Sequence, residues 1–144
     1  MSLNRDALIK RMNEVSSKLL HEKGYIGFVD ILMRMEKLKK ADYERWRFGK
    51  VPCLEKVITL NLAKLNTMLR TLHENARRGG LKPSRTVYKS WGKGPKRLLL
   101  FSKSGDSNVE AAYSMHFLKP GESHKPVAQP DGEEDDLSLP RYRT

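Results

Sequence analysis

Cysteine is almost missing from this chain of 144 residues. Cys53 is the only one, which excludes an intramolecular disulfide and any metal site built from several cysteines. A single thiol fits a reducing compartment, so we expect a cytoplasmic protein. Cys53 stands among Val51, Leu54 and Val57, and this apolar setting favours a buried structural cysteine over a nucleophile.

Long apolar runs and local metal-binding clusters are missing as well. No stretch approaches the roughly 18 apolar residues that a membrane-spanning helix needs, and residues 1–6 lack the apolar segment of a signal peptide. We therefore expect no membrane partner. The histidines are scattered along the chain, at His21, His73, His116 and His124. A zinc site needs three or four ligands, so we predict no metal site. No cofactor and no catalytic residue is assigned, which leaves an enzyme as the less favoured class.

Charge is distributed unevenly along the chain. Residues 1–118 contain 24 Lys and Arg against 11 Asp and Glu, whereas residues 119–144 contain 4 against 6. The second segment also holds four consecutive acids, Glu133 to Asp136, and four of the prolines. Such a composition buries too little apolar surface to offset the entropy of folding. The sequence therefore predicts a basic domain over 1–118 and a disordered, proline-rich acidic tail over 119–144.

The first part of the chain has helical patterns. Asn4 is a good N-cap, and apolar residues follow at helical spacing until Gly24. Residues 28–38 and 41–48 predict two shorter helices joined by a tight basic turn. Their order is typical of a helix-turn-helix motif.

A longer apolar stripe begins after Pro52. Leucine and isoleucine recur every three or four residues up to Ala76, which predicts one continuous helix over 52–78 that ends at Gly79. Two roles remain open for this stripe. It is either the core helix of the monomer or, in part, the seam of a homodimer.

The pattern then changes to β-prone segments. Residues 84–91 and 96–102 flank the turn sequence Gly-Lys-Gly-Pro, which predicts a β-hairpin near 84–102, a candidate wing. Ser107 and Glu110 fit a capping box at the start of a last short helix that extends through Met115. The predicted fold is mainly α, with one β-hairpin and a long central helix.

The window from residue 77 to residue 103 contains nine basic residues and no acid. Uncompensated positive charge of this density indicates a polyanionic partner. Tyr88, Trp91 and Phe101 are interleaved with the bases, and aromatic rings can stack on nucleobases beside phosphate-binding cations. We therefore predict binding of DNA or RNA, chiefly through phosphate contacts. The basic residues of the window are Arg77, Arg78, Lys82, Arg85, Lys89, Lys93, Lys96, Arg97 and Lys103.

Base-specific recognition has a weaker basis. Arg45 and Arg47 lie on the third predicted helix, where a recognition helix would stand, and arginine can bind guanine through two hydrogen bonds. Trp46, between them, is expected to anchor this helix to the core instead.

Two other functions stay open. A non-enzymatic adaptor could use the same basic surface to bind an acidic protein, and a small enzyme could act on a phosphorylated or nucleic-acid substrate. An adaptor would bind one protein tightly and leave DNA unbound, whereas an enzyme would contain an acid or histidine whose replacement abolishes turnover but not binding.

Residues 46–55, with the sequence WRFGKVPCLE, resemble a group of small basic bacterial proteins of uncharacterised function. Residues 80–84 and 101–106 are similar to the same group, so the resemblance covers roughly residues 25–118. It implies a bacterial chromosomal or mobile-element origin and supports the domain boundaries. It implies no activity, ligand or catalytic residue.

Overall fold

The structure, a computed structural model, describes residues 4–120. The fold is mixed α/β, with a majority of helix and a small antiparallel sheet. Nearly all of the predicted acidic tail lies outside the described residues. Along the chain the elements are α1 (Arg5–Lys23), β1 (Tyr25–Gly27), α2 (Phe28–Arg34), α3 (Lys40–Arg47), a 3-10 helix (Leu54–Val57), α4 (Leu62–Arg78), β2 (Lys82–Arg85), α5 (Ser107–Ser114) and β3 (Met115–Leu118).

Helix α1 confirms the prediction from its sequence. The Asn4 side chain accepts a hydrogen bond from the Ala7 amide at 2.8 Å, and Gly24 ends the helix with its amide bonded to the Leu20 carbonyl. The apolar stripe of α1 is buried, as the helical spacing predicted. It consists of Leu8, Met12, Val15 and Leu19.

The sheet has the order β1-β3-β2, with β3 in the centre. Ile26 and Pro83 lie opposite Phe117 from the two sides. The prediction that the last helix extends through Met115 is wrong, because this residue begins β3. Met115 belongs to the central strand, whose backbone groups form hydrogen bonds to strands on both sides. This pairing outweighs the helical pattern that the sequence carries into Met115 from α5.

The prediction of one continuous helix over 52–78 is also wrong. The amides of Leu54 and Glu55 donate to the carbonyls of Leu100 and Phe101, and both the amide and the hydroxyl of Thr59 donate to Lys37. These long-range bonds interrupt the helix, which starts again where Asn61 caps α4. Leu62, the stripe residue at the start of α4, is 53% exposed. The apolar residues of α4 from Leu65 onwards are buried within the chain, as the core alternative required. They are Leu65, Met68, Leu69, Leu72 and Ala76.

The predicted hairpin near 84–102 is present only as a short antiparallel contact next to its turn, where the Ser90 amide donates to the Arg97 carbonyl at 2.8 Å and the Leu99 amide to the Tyr88 carbonyl at 3.0 Å. Strand β2 pairs with β3, and between 86 and 103 a single isolated bridge joins Lys89 to Leu98. This segment is therefore an irregular excursion of the chain, and a wing is not confirmed. Side chains still alternate at its end, since Leu99 and Phe101 are buried whereas Leu98 and Leu100 are exposed.

An aromatic cluster fills the core beneath this excursion. Trp46 is fully buried, which confirms its predicted anchoring role, and its Nε1 donates to the Leu100 carbonyl at 2.8 Å. The rings of Tyr88 and Phe101 lie 5.7 and 5.2 Å from it. Cys53 is also buried, as predicted. Within residues 4–120, none of the helices has the length and apolar character needed to cross a bilayer.

Candidate nucleic-acid interface

Two carboxylates hold the base of the excursion, here called the basic loop (residues 86–103). Glu110, on α5, accepts hydrogen bonds from the amides of Phe101 and Ser102 and from the Ser102 hydroxyl, at 2.7–2.9 Å. Glu55 accepts the Lys103 amide at 2.8 Å and the Tyr113 hydroxyl at 2.6 Å. Both acids are therefore bonded to the backbone of the basic loop, which they help to hold in place.

The opposite end of the basic loop rests on α3. The Trp91 amide donates to the Arg47 carbonyl at 2.6 Å, and Ser90 and Arg97 exchange two hydrogen bonds at 2.8 and 2.9 Å. Residues 92–96 project beyond this crossing and are all exposed. Lys96 folds back over this turn, where its Nζ donates to the Gly92 carbonyl at 2.8 Å.

Arg47, predicted to read bases, is buried. It is 7% exposed, and its guanidinium lies 4.7 Å from the Trp91 ring and 5.2 Å from the Tyr88 ring. Tyr88, predicted to stack on bases, is 8% exposed. Trp91, on the basic loop itself, is half-buried. Of the two arginines predicted to recognise bases, only Arg45 is exposed, and it pairs with Asp42 at 2.8 Å.

The basic residues predicted to contact phosphates fall into separate parts of the fold. Arg77 and Arg78 end α4, whereas Lys82 and Arg85 lie on the edge strand β2, where Arg85 donates to the Ser114 hydroxyl at 2.9 Å. The basic loop carries the others, of which Lys89 is half-buried. Those exposed on the loop are Lys93, Lys96, Arg97 and Lys103.

Phe48 belongs to this surface although the sequence did not single it out. It is 46% exposed, and its ring meets the edge of the Trp91 ring at a centroid distance of 5.6 Å. The sequence Trp-Arg-Phe-Gly-Lys at 46–50 places Phe48 between two cations, which is a local sign of a nucleic-acid-binding aromatic residue. The contact with the basic loop depends on tertiary structure, which periodicity cannot show.

Two glycines permit this contact. Gly49 has φ +74°, and a β-carbon there would lie 3.3 Å from the guanidinium carbon of Arg97 and closer still to one of its nitrogens. Gly92 has φ +100°, and a β-carbon there would lie 3.4 Å from the Phe48 ring. Both glycines adopt a backbone conformation that residues with a side chain rarely adopt. Both also let the side chain of a neighbouring residue approach closely.

A buried polar cluster lies on the other side of Tyr88. Its hydroxyl is 3.2 Å from His116 Nε2, and the His116 ring stacks on Tyr25 at 4.7 Å. Burial raises the pKa of both tyrosines and of the neighbouring Asp30 carboxyl. Within the described part of the chain, no group of three or more His, Cys, Asp or Glu is arranged to bind a metal ion.

Comparisons of the chain with models of protein families, with curated proteins and with solved structures find no match. The resemblance to a group of small basic bacterial proteins therefore stays a prediction.

Proposed function

We propose that the chain binds nucleic acid, DNA or RNA, mainly through phosphate contacts from the exposed cations of residues 77–103. One observation carries this proposal. Glu55 and Glu110, the carboxylates that touch the basic loop, are bonded to its backbone amides and to two hydroxyls. Within residues 4–120 we find no carboxylate paired with Lys93, Lys96, Arg97 or Lys103. These cations are therefore available to a polyanion.

The strongest part of the proposed surface is the end of the basic loop, where the excursion meets the C-terminal end of α3. Lys93 and Lys96 project there, and Arg97 lies against Gly49. Reading of a duplex by α3 as a recognition helix would depend on Arg45, because Arg47 is enclosed by aromatic rings.

The test removes two loop lysines and compares them with a matched pair. Lys93→Gln/Lys96→Gln is set beside Lys10→Gln/Lys18→Gln, which removes the same charge from exposed positions of α1. Removal of one phosphate-binding cation should reduce the slope of log K against log salt by about 0.7–0.9. We expect the slope of the loop variant to fall by about 1.4–1.8, and the α1 variant to keep the original slope. Equal behaviour of the two variants, or binding that does not depend on salt, would contradict the proposal.

A specific feature favours the adaptor as the second candidate. Leu98 and Leu100 are 68% and 45% exposed on the basic loop, and apolar side chains beside cations suit an acidic, partly apolar protein segment. Protein purified without a high-salt wash distinguishes the two functions. Co-purified nucleic acid, seen in the ratio of absorbance at 260 and 280 nm, favours the first, and one stoichiometric acidic protein favours the second.

A further inference from the structure

We propose that the exposed ring of Phe48 is a stacking platform for an unpaired nucleobase, so that the basic loop binds single-stranded nucleic acid. This inference rests on the proposed function and names its substrate. It begins with the position of the ring. Within residues 4–120, Phe48 is the most exposed aromatic side chain.

The Phe48 ring is held in place by the chain around it. One edge lies so close to Gly92 that an added β-carbon there would be 3.4 Å away, and the ring stands at 80° to the Trp91 ring with a centroid distance of 5.6 Å. Trp91 is itself fixed, because its amide bonds to the Arg47 carbonyl and the Arg47 guanidinium covers its face. A ring that is already ordered loses little conformational entropy when a planar ligand stacks on it.

Three cationic side chains lie at residues next to this ring. The Arg97 guanidinium lies against Gly49, the residue next to Phe48, and Lys50 is exposed one residue further on. Lys96 is bonded to the carbonyl of Gly92, the residue on which the ring packs. An aromatic face flanked by cations is the arrangement that binds single strands, because the bases stack while the phosphates are neutralised.

The other aromatic rings of the region are less suited to this role because the fold covers more of each one. Trp91 has Arg47 over its ring at 4.7 Å and the ring of Tyr43 at 5.8 Å in an edge contact. Tyr88 and Phe101 are buried in the core. Of the three rings that the sequence singled out, Tyr88 and Phe101 are therefore enclosed in the core and Trp91 is half-buried, whereas Phe48 is more exposed than any of them.

The accessibility of the base faces favours a single strand over a duplex as the ligand. In a duplex the base faces are stacked on each other, so an exposed ring on the protein finds no free π-face without unstacking the helix. An unpaired base offers its face directly. The exposed leucines, Leu98 and Leu100, add apolar surface to the same loop.

The test compares a base-containing polymer with one that carries phosphates alone. The probes are a labelled oligothymidylate of about 20 nucleotides, an abasic deoxyribose-phosphate oligomer of the same length, and a duplex, all longer than the site sizes known for such surfaces. The variants are Phe48→Leu, which keeps an apolar side chain, and Phe48→Tyr, which keeps the ring. Leu62→Ala, at another exposed apolar position, is the matched control.

We expect Phe48→Leu to weaken binding of oligothymidylate about 5- to 150-fold, the range for loss of one stacked base. Its affinity for the abasic oligomer and for the duplex should not change, nor should the salt slope. Phe48→Tyr and Leu62→Ala should behave as the unaltered chain. Tryptophan fluorescence should be quenched by oligothymidylate but not by the abasic oligomer, because Trp91 lies beside the platform.

Two results would overturn this inference while leaving the proposed function in place. In the first, Phe48→Leu keeps its preference for oligothymidylate over the abasic oligomer. In the second, sedimentation shows that Phe48→Leu dissociates a dimer, which would make the patch an interface between two copies of the chain. If the unaltered chain binds none of the probes, the proposed function and this inference both fail.

Discussion

At the scale of single residues, Arg47 is the least expected position in the molecule. Its guanidinium is buried, its Nε has no hydrogen-bond partner within residues 4–120, and three aromatic rings surround it, those of Tyr43, Tyr88 and Trp91. Cation–π attraction offsets part of the cost of removing the charge from water. The planar, weakly hydrated guanidinium suits such a setting, whereas the compact ammonium of lysine does not.

Replacements of Arg47 should therefore distinguish the contribution of its charge to stability from the contribution of its packing. We expect Arg47→Lys to lower the free energy of unfolding by about 2 kcal/mol, since it keeps the charge but cannot stack flat on the rings. Arg47→Met should cost about 1 kcal/mol or less, because it keeps the packing and has no charge to desolvate. Urea denaturation measures both, with Arg45→Lys as the exposed control. Arg47→Lys as stable as the unaltered chain would contradict this account.

Residue burial was only partly readable from the sequence. Trp46 and Cys53 stood at apolar positions of a pattern, and both are buried. Burial of Arg47 and exposure of Phe48 could not be predicted, because residue type alone suggests that a charged side chain is exposed and an aromatic one is buried. Here the aromatic cluster takes in the arginine, whereas the phenylalanine stays 46% exposed at the surface.

At the scale of elements, caps and apolar spacing in the sequence predicted α1 and α3, which are specified by residues close together in the chain. The cap at Asn4 and the spacing that follows it belong to α1 alone, and α3 differs from its prediction by one residue at each end. The continuous helix through residues 52–61 is absent and the hairpin near 84–102 is shortened, because bonds to distant parts of the chain decide both segments. Leu54 and Glu55 bond to residues 100 and 101, more than 40 positions away, and no periodicity carries that information.

The carboxylate of Glu110 gives a test of how the basic loop is held. Glu110→Gln removes the charge that binds the amides of Phe101 and Ser102. Hydrogen bonds to a charged group contribute about 1.5–3 kcal/mol, so we expect a loss of stability of that order. Exchange of these two amides with solvent deuterium should also accelerate.

The matched variant is Glu74→Gln, an exposed carboxylate on α4, which should change stability by less than about 0.5 kcal/mol. If Glu110→Gln left both amides as protected as before, the loop would be held by its apolar contacts, and the carboxylate would be incidental to it.

At the scale of the whole molecule, the distribution of charge was readable from the sequence, but its arrangement in space was not. The acid-free window divides between the end of α4, the edge strand β2 and the basic loop. The acids that contact this window are Glu55 and Glu110, which lie outside it in the sequence. Both accept hydrogen bonds from backbone amides of the basic loop. The electrostatic surface is therefore a property of the fold, although its excess charge is a property of the composition.

The buried tyrosines predict how the whole fold responds to alkali. Burial raises the pKa of Tyr25, Tyr88 and Tyr113 above its usual value, and the hydrogen bond to Glu55 raises that of Tyr113 further. Above a pH of about 10, the usual pKa of tyrosine, the unfolded chain loses these protons while the folded chain keeps them. The folded state then binds more protons, so the free energy of unfolding falls as pH rises.

Three such groups give a slope of up to about 4 kcal/mol per pH unit above pH 10, and these tyrosines contribute no slope at neutral pH. Tyr113→Phe should reduce the alkaline slope by about 1.4 kcal/mol per pH unit. The same variant should lose about 1–3 kcal/mol at pH 7, because Glu55 is left with an unsatisfied buried oxygen. Urea midpoints measured from pH 7 to 11, with tyrosinate absorbance near 295 nm, separate the two effects. An unchanged alkaline slope in Tyr113→Phe would show that Tyr113 ionises alike in the folded and unfolded chains, and that its bond to Glu55 does not hold the proton.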